Sequence, residues 1–177
     1  MTSYRPVCDT WILARPKIKY WGAYPNGFLE RARWLLGNRR DSVLHVCGGM
    51  AKDYPAWKKL CPNDLTLDLD PACAPDFLAD ALDPLPPPRL EDGWAAILCD
   101  PPYTAEDAKH YVPQTCPSAR AILKNALASV VVGGRVGMLH LKPPRPPSDD
   151  VRFLANISVV MGFDNQQRCF SIYERTA

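Results

Sequence analysis

A chain of 177 residues, 47% of them hydrophobic and 23% charged, has the make-up of one ordinary globular domain with a sizeable core. Its formal net charge of +2 falls short of the basic balance of a dedicated duplex binder, and no apolar run approaches the ~20 residues that a membrane helix needs. Met1 to Thr10 holds neither an apolar stretch nor a small-residue cleavage site, so the expectation is a single domain over 1–177, cytoplasmic, with no leader and no membrane attachment.

Residues 1–25 scatter Trp11, Tyr20, Trp21 and Tyr24 among Pro and Lys and read as an irregular arm, with the main fold over 26–177. After Asn26, the spacing of Phe28, Ala32, Leu35 and Leu36 predicts a helix that Gly37-Asn38 ends. Ser42 to Cys47 predicts a short strand broken by Gly48-Gly49, and Lys52 to Leu60 a short helix. Leu65 to Asp68 and Asp76 to Ala79 predict two more strands, the first ending in an acid and the second followed by Asp80. The prolines of Asp83 to Pro88 make a loop, because proline fixes φ and lacks an N–H.

Trp94 to Cys99 is apolar throughout, the pattern of a strand covered on both faces of a parallel sheet. Ser118 caps a helix to Val132, with Ile122, Ala126 and Val130 on one stripe, Leu123 and Leu127 beside it, and Gly133-Gly134 as its stop. Arg135 to Leu141 predicts a strand and Lys142 to Pro147 a second proline-rich loop. Asn156 to Met161 and Gln167 to Tyr173, joined through Gly162, Asp164 and Asn165, predict an antiparallel hairpin. The alternation of strands and helices argues for an α/β fold with a mostly parallel sheet. The seven cysteines (Cys8, Cys47, Cys61, Cys73, Cys99, Cys116, Cys169) contain no C-x-x-C pair, and His45, His110 and His140 are scattered. The expectation is therefore reduced structural thiols and no metal site.

In open α/β sheets, ligands bind at the carboxyl ends of the strands. At these ends the chain carries, in order, Cys47-Gly48-Gly49, Asp68 with Asp70 behind it, Asp80, and Asp100-Pro101-Pro102-Tyr103. Paired glycines let a ligand approach the backbone. A carboxylate at Asp68 can accept both hydroxyls of a ribose, and one at Asp80 can accept from an adenine amino group. The tetrapeptide suits methyl transfer to an aromatic amino nitrogen. The lone pair of such a nitrogen is delocalised into its ring, and acceptors that draw its two hydrogens out of plane localise it. Asp100 can take one hydrogen and the Pro101 carbonyl the other; the prolines hold both in place, and Tyr103 offers a ring for a planar base.

Asp100-Pro101-Pro102-Tyr103 resembles the signature of the amino-methyltransferases, above all the adenine-N6 and cytosine-N4 DNA enzymes. The resemblance runs from about Ser42 to Leu141. It implies a Rossmann-like class I fold: a mostly parallel seven-stranded sheet with a C-terminal antiparallel hairpin and helices on both faces. It implies S-adenosyl-L-methionine as cofactor, its methionine part wrapped by Cys47, Gly48 and Gly49, its ribose held by Asp68 and its adenine read by Asp80. It also implies a segment at Asn26 that supports the cofactor carboxylate, and a target base held by Asp100, Pro101, Pro102 and Tyr103.

Two features depart from that pattern. His45 stands where the family carries an acid, as a neutral cofactor contact, and no stretch is long enough for a target-recognition region. The expectation is a minimal catalytic domain acting on nucleic acid, adenine N6 in DNA first, as in the small enzymes of phages. Recognition would be relaxed or supplied by a homodimer or partner. Lys142 and Arg145 are expected to touch phosphate, or else to cover the sheet edge; Arg31, Arg33, Arg39 and Arg40 are a second basic run or a solvated face. RNA or cytosine-N4 targets, and a non-catalytic scaffold in which His45 marks lost cofactor binding, stay open as alternatives.

Overall fold

The computed structural model describes residues 5–15, 23–38, 42–88, 93–111, 116–162 and 167–177. Tyr20, Trp21, Arg39, Arg40, Asp164 and Asn165 lie outside them. In chain order the elements are β1 (Val7–Leu13), α1 (Phe28–Leu35), β2 (Val43–Val46), α2 (Trp57–Leu60), β3 (Leu65–Asp68), β4 (Phe77–Leu78), β5 (Trp94–Cys99), α3 (Ala105–Ala108), α4 (Ala119–Ser129), β6 (Val130–His140), β7 (Val151–Met161) and β8 (Gln167–Arg175). They build one sheet of order β1-β7-β8-β6-β5-β2-β3-β4. Every neighbouring pair is parallel except those of β8, which is antiparallel to both β6 and β7. The α/β class and the terminal hairpin are as expected.

The sheet has eight strands rather than seven. The extra one, β1, comes from the arm read as irregular and pairs with β7 from Val7↔Ala155 to Leu13↔Met161. Edge position explains the weak signal: only Trp11 and Leu13 reach the core, while Cys8, Asp9, Thr10 and Ile12 stay exposed. Two boundaries also move. The expected helix from Lys52 is split, because Pro55 holds Tyr54 extended at φ −60 and ψ 129 between a 3-10 turn (Ala51–Asp53) and α2. The helix expected to run to Val132 stops at Ser129, and the β-branched run Val130-Val131-Val132 opens β6 instead.

Helices cover both faces. Phe28, Leu29 and Ala32 of α1 pack on one face against Val43, Ala96, Leu98, Leu139, Ile157 and Phe170. Ile122, Leu123, Ala126 and Leu127 of α4 pack on the other against Leu44, Val46, Ile97, Cys99, Val136 and Met138. No helix bridges β6 and β7; the proline-rich stretch 141–150 makes that connection, tied down where the Tyr173 hydroxyl donates to the Pro144 carbonyl at 2.6 Å.

A buried charge cluster clamps α1 to the sheet. The Asp64 side chain is wholly buried and accepts from Arg33 of α1 and, at 2.9 Å, from Nε2 of His45 in β2. The Arg33 guanidinium also lies 3.6 Å from the Cys61 sulfur at the end of α2. Asp64→Ala strands a buried guanidinium and should cost about 3–5 kcal/mol of unfolding free energy by urea titration. The double variant Arg33→Met/Asp64→Leu should lose clearly less than the two single losses added together.

Candidate active site

β2, β3, β4, β5 and β6 run parallel, so Val46, Asp68, Leu78, Cys99 and His140 end at one rim of the sheet. The turn after β2 lies in the middle of it. Cys47 takes a left-handed backbone at φ 54, and Gly49 another at φ 48. A Cβ on Gly48 would meet the His45 carbonyl at 3.2 Å, so a side chain there would be tightly crowded against the backbone. Asp68 holds this turn closed: one oxygen accepts from the Gly49 N–H at 2.8 Å, the other from the Asp70 N–H at 3.0 Å. Asp80 accepts from the Leu82 N–H at 2.8 Å. Burial pushes the Cys47 thiol up, and Asp68, Asp100 and Asp80 add to it. Three of the expected strand-end acids thus surround one turn, and among the described residues no Lys or Arg comes within ion-pair distance of any of them.

The tetrapeptide sits beside that turn. The Asp100 N–H donates to the Val46 carbonyl at 3.1 Å, which fixes its Cα at the end of β5. Its Oδ1 accepts from the Tyr103 hydroxyl at 2.7 Å. Burial raises the Asp100 carboxyl to about 7, with the Tyr103 bond and the Arg168 charge pulling the other way. Burial also pushes the Tyr103 hydroxyl well above its ordinary value, with the Asp100 charge adding to it. The Pro102 carbonyl accepts weakly from the Cys116 thiol at 3.6 Å, whereas no described group donates to the Pro101 carbonyl. Asp100 Oδ2 and the Pro101 oxygen, on successive residues, are therefore two acceptors without a donor among the described residues.

Two residues that sequence reasoning left out complete the surroundings of Tyr103. The Arg168 guanidinium of β8 lies over the ring at 5.4 Å from its centroid, and the His140 ring meets it nearly edge-on at 5.5 Å. Burial lowers the His140 pKa, so the ring is neutral at pH 7. Its Nδ1 accepts from the Lys142 N–H at 3.5 Å, which puts the proton on Nε2. His140 could have been found from its place at a strand's carboxyl end. Arg168 could not, since its place depends on a hairpin strand returning between β6 and β7.

Other expected site residues lie elsewhere. His45 is 1% exposed, bonded to Asp64 and packed edge-on against Trp57 at 4.8 Å, inside the core rather than open on the rim. His45, Cys61 and Asp64 bring three ligating atoms within 4.8 Å of one another, but the Arg33 cation already donates to Asp64 and Cys61 where a metal would sit. The Asn26 amide donates to the Arg15 carbonyl at 3.3 Å and pins the end of β1. The adjacent Gly27 N–H donates to the Tyr54 hydroxyl at 2.7 Å, and Tyr54 in turn donates to Glu30 at 3.0 Å. Lys142 lies two residues after His140, beyond the end of β6. Pro144, however, is tied to Tyr173, whose register partner is Val136, four residues before His140. Arg145, the residue after Pro144, is exposed.

No protein-family model matches the chain, and no curated protein matches it. Solved structures do. The chain is similar to TrmN from Thermus thermophilus at TM-score 0.58 and 24% identity, over 83% of this chain and 48% of that one. It is similar to a Listeria monocytogenes protein described as a class I S-adenosylmethionine-dependent methyltransferase, at TM-score 0.56 and 13% identity, over 90% of this chain and 63% of that one. It is also similar to an rRNA methylase from Streptococcus thermophilus at TM-score 0.51 and 9% identity, over 83% of this chain and 95% of that one. The chain spans about half the length of the Thermus protein and under two-thirds of the Listeria one. Its fold is that of the class I methyltransferases, with β1 added at one edge.

Proposed function

We propose that this chain transfers a methyl group from S-adenosylmethionine to an exocyclic amino nitrogen of a nucleobase, adenine N6 in DNA first. The observation that carries the reading is the pair of acceptors left without a donor among the described residues, Asp100 Oδ2 and the Pro101 carbonyl, beside a glycine turn ringed by acids.

The rim suits this cofactor by its donor and acceptor chemistry. Asp68 spends one lone pair per oxygen on backbone N–H groups and keeps others for ribose hydroxyls. Asp80 keeps one oxygen for an adenine amino group. Asp68 and Asp80, with no described cation within ion-pair distance, favour a ligand that is itself positively charged. Asp68, Asp80 and the backbone of Cys47, Gly48 and Gly49 would hold it; His45, buried against Asp64 and Trp57, would not touch it. Bound there, S-adenosylmethionine supplies an electrophilic methyl group on a cationic sulfur.

The chain's own groups do the rest. Asp100 and the Pro101 carbonyl accept the two amino hydrogens of the target and localise its lone pair. A nitrogen that gains a methyl must lose a proton. Asp100, with its proton affinity near neutrality, can hold that proton on Oδ2 while Tyr103 occupies Oδ1. The prolines keep these acceptors from turning away, so their orientation is set before the target arrives.

An rRNA methylase among the fold neighbours makes RNA the second substrate to test. Incubation with radiolabelled cofactor and a panel of DNA and RNA, followed by nucleoside mass spectrometry, should yield N6-methyladenine in DNA. Label in no nucleic acid would sink the reading. Asp100→Ala should lower turnover by about 10²–10³ or more while leaving cofactor affinity by calorimetry within a few-fold. Near-normal turnover in that variant would refute the role given to Asp100.

The raised Asp100 pKa sets two opposite pH effects. As a protonated acid it has lost its charge and cannot take up a proton, so turnover should fall as pH drops through about 7, and the limb should vanish from the residual activity of Asp100→Asn. For stability the sign is reversed. The folded chain binds this proton more tightly than the unfolded one, so Asp100 weakens the fold progressively as pH rises from the ordinary carboxylate range through about 7. Asp100→Asn should therefore melt higher than the parent at pH 8, with the gain shrinking by pH 5. An equal difference at both pH values would contradict this.

A further inference from the structure

Arg168 lies next to the tetrapeptide and has nothing that uses it fully. Its guanidinium faces the Tyr103 ring, and Nη1 reaches only the Met161 sulfur at 3.6 Å, a weak acceptor. Its Nε is buried without a partner. No described carboxylate comes within ion-pair distance, although its charge is felt at Asp100, Tyr103 and Tyr111. A half-buried guanidinium with unmet donors is costly unless something else supplies an acceptor. Arg168 stands opposite Val159 of β7, one residue from Cys169, which pairs with His140 of β6, so its place is built into the hairpin.

The proposed target has the complementary pattern. Its amino group offers two donors, which Asp100 and Pro101 can accept. Beside that amino group a nucleobase carries a ring-nitrogen acceptor: N1 or N7 in adenine, N3 in cytosine. A donor placed next to a pair of acceptors reads this arrangement and rejects an amine that lacks the flanking nitrogen. We infer that Arg168 is a specificity-determining residue of the target site, donating from its guanidinium to the ring nitrogen that flanks the amino group being methylated. The inference rests on the reading of the site as an amino-methyltransferase. The neutral His140, with its proton on Nε2, stands on the same ring as a second donor.

The test is a cycle between enzyme and substrate. Wild type, Arg168→Met and Arg168→Lys are assayed for kcat/KM on oligonucleotides with one target adenine, 1-deazaadenine or 7-deazaadenine, and each variant is checked for folding by circular dichroism and for cofactor binding by calorimetry. One of the two deaza changes should cost wild type about tenfold or more, as expected for loss of a charge-assisted hydrogen bond. The same change should cost Arg168→Met threefold or less, because the partner is already gone. Arg168→Lys, with a point charge in place of the fork, should fall between them. Equal losses in wild type and Arg168→Met for both analogues overturn the inference. So does a uniform loss on every oligonucleotide with a shallower salt dependence, which marks a phosphate contact instead. If wild type labels no unmodified adenine, the amino-methyltransferase reading itself has failed, and this inference fails with it.

Discussion

Everything at the rim rests on one buried charge below it. A carboxylate as buried as Asp64 is tolerable only when its charge is met, and here three elements meet it: Arg33 from α1, His45 from β2 and, through Arg33, Cys61 after α2. The cluster fixes α1 on the sheet directly beneath the turn at Cys47 to Gly49. Because α1 is fixed, the N–H of Gly27, the residue just before it, can donate to Tyr54, a residue of the segment between that turn and α2. The same cluster accounts for His45. Where the family resemblance expects an acid, this chain has a base whose partner acid lies inside the core. At the rim the strand-end acids are Asp68, with Asp70 behind it, Asp80 and Asp100.

The two kinds of carboxylate in this chain are treated in opposite ways. Asp64 is buried and doubly bonded, and its worth is structural. Asp100 is set at the end of a strand with a single neutral donor on one oxygen and a cation held off behind a ring. Such an arrangement weakens the fold at neutral pH, a cost expected at functional sites rather than in ordinary packing.

Much of the fold could be read from the residues because the signals were local. The apolar run Trp94 to Cys99, the capped helix after Ser118 and the glycine turn after Val46 each announce themselves within a few positions. The rim acids could be read for the same reason, since each ends a strand. What could not be read was set by pairing over long distances. β1 has little apolar pattern because an edge strand buries few side chains, and its partner β7 lies near the other end of the chain. Asp64 looks like an ordinary loop acid until Arg33 and His45 are folded onto it.

The position of Tyr103 follows from that difference between local and distant signals. In the sequence it is simply the fourth residue of a motif, an aromatic ring free to stack on a base. In the fold its hydroxyl is committed to Asp100, one face of its ring lies against Arg168, and its neighbour at the edge is His140. The ring therefore acts first as a spacer. It holds a cation near Asp100 without allowing a direct ion pair, which would lock the carboxylate in its charged form and occupy the oxygen the target needs. A strand from the C-terminal hairpin is what brings that cation in, so the hairpin is part of the site's chemistry as well as the closing element of the sheet.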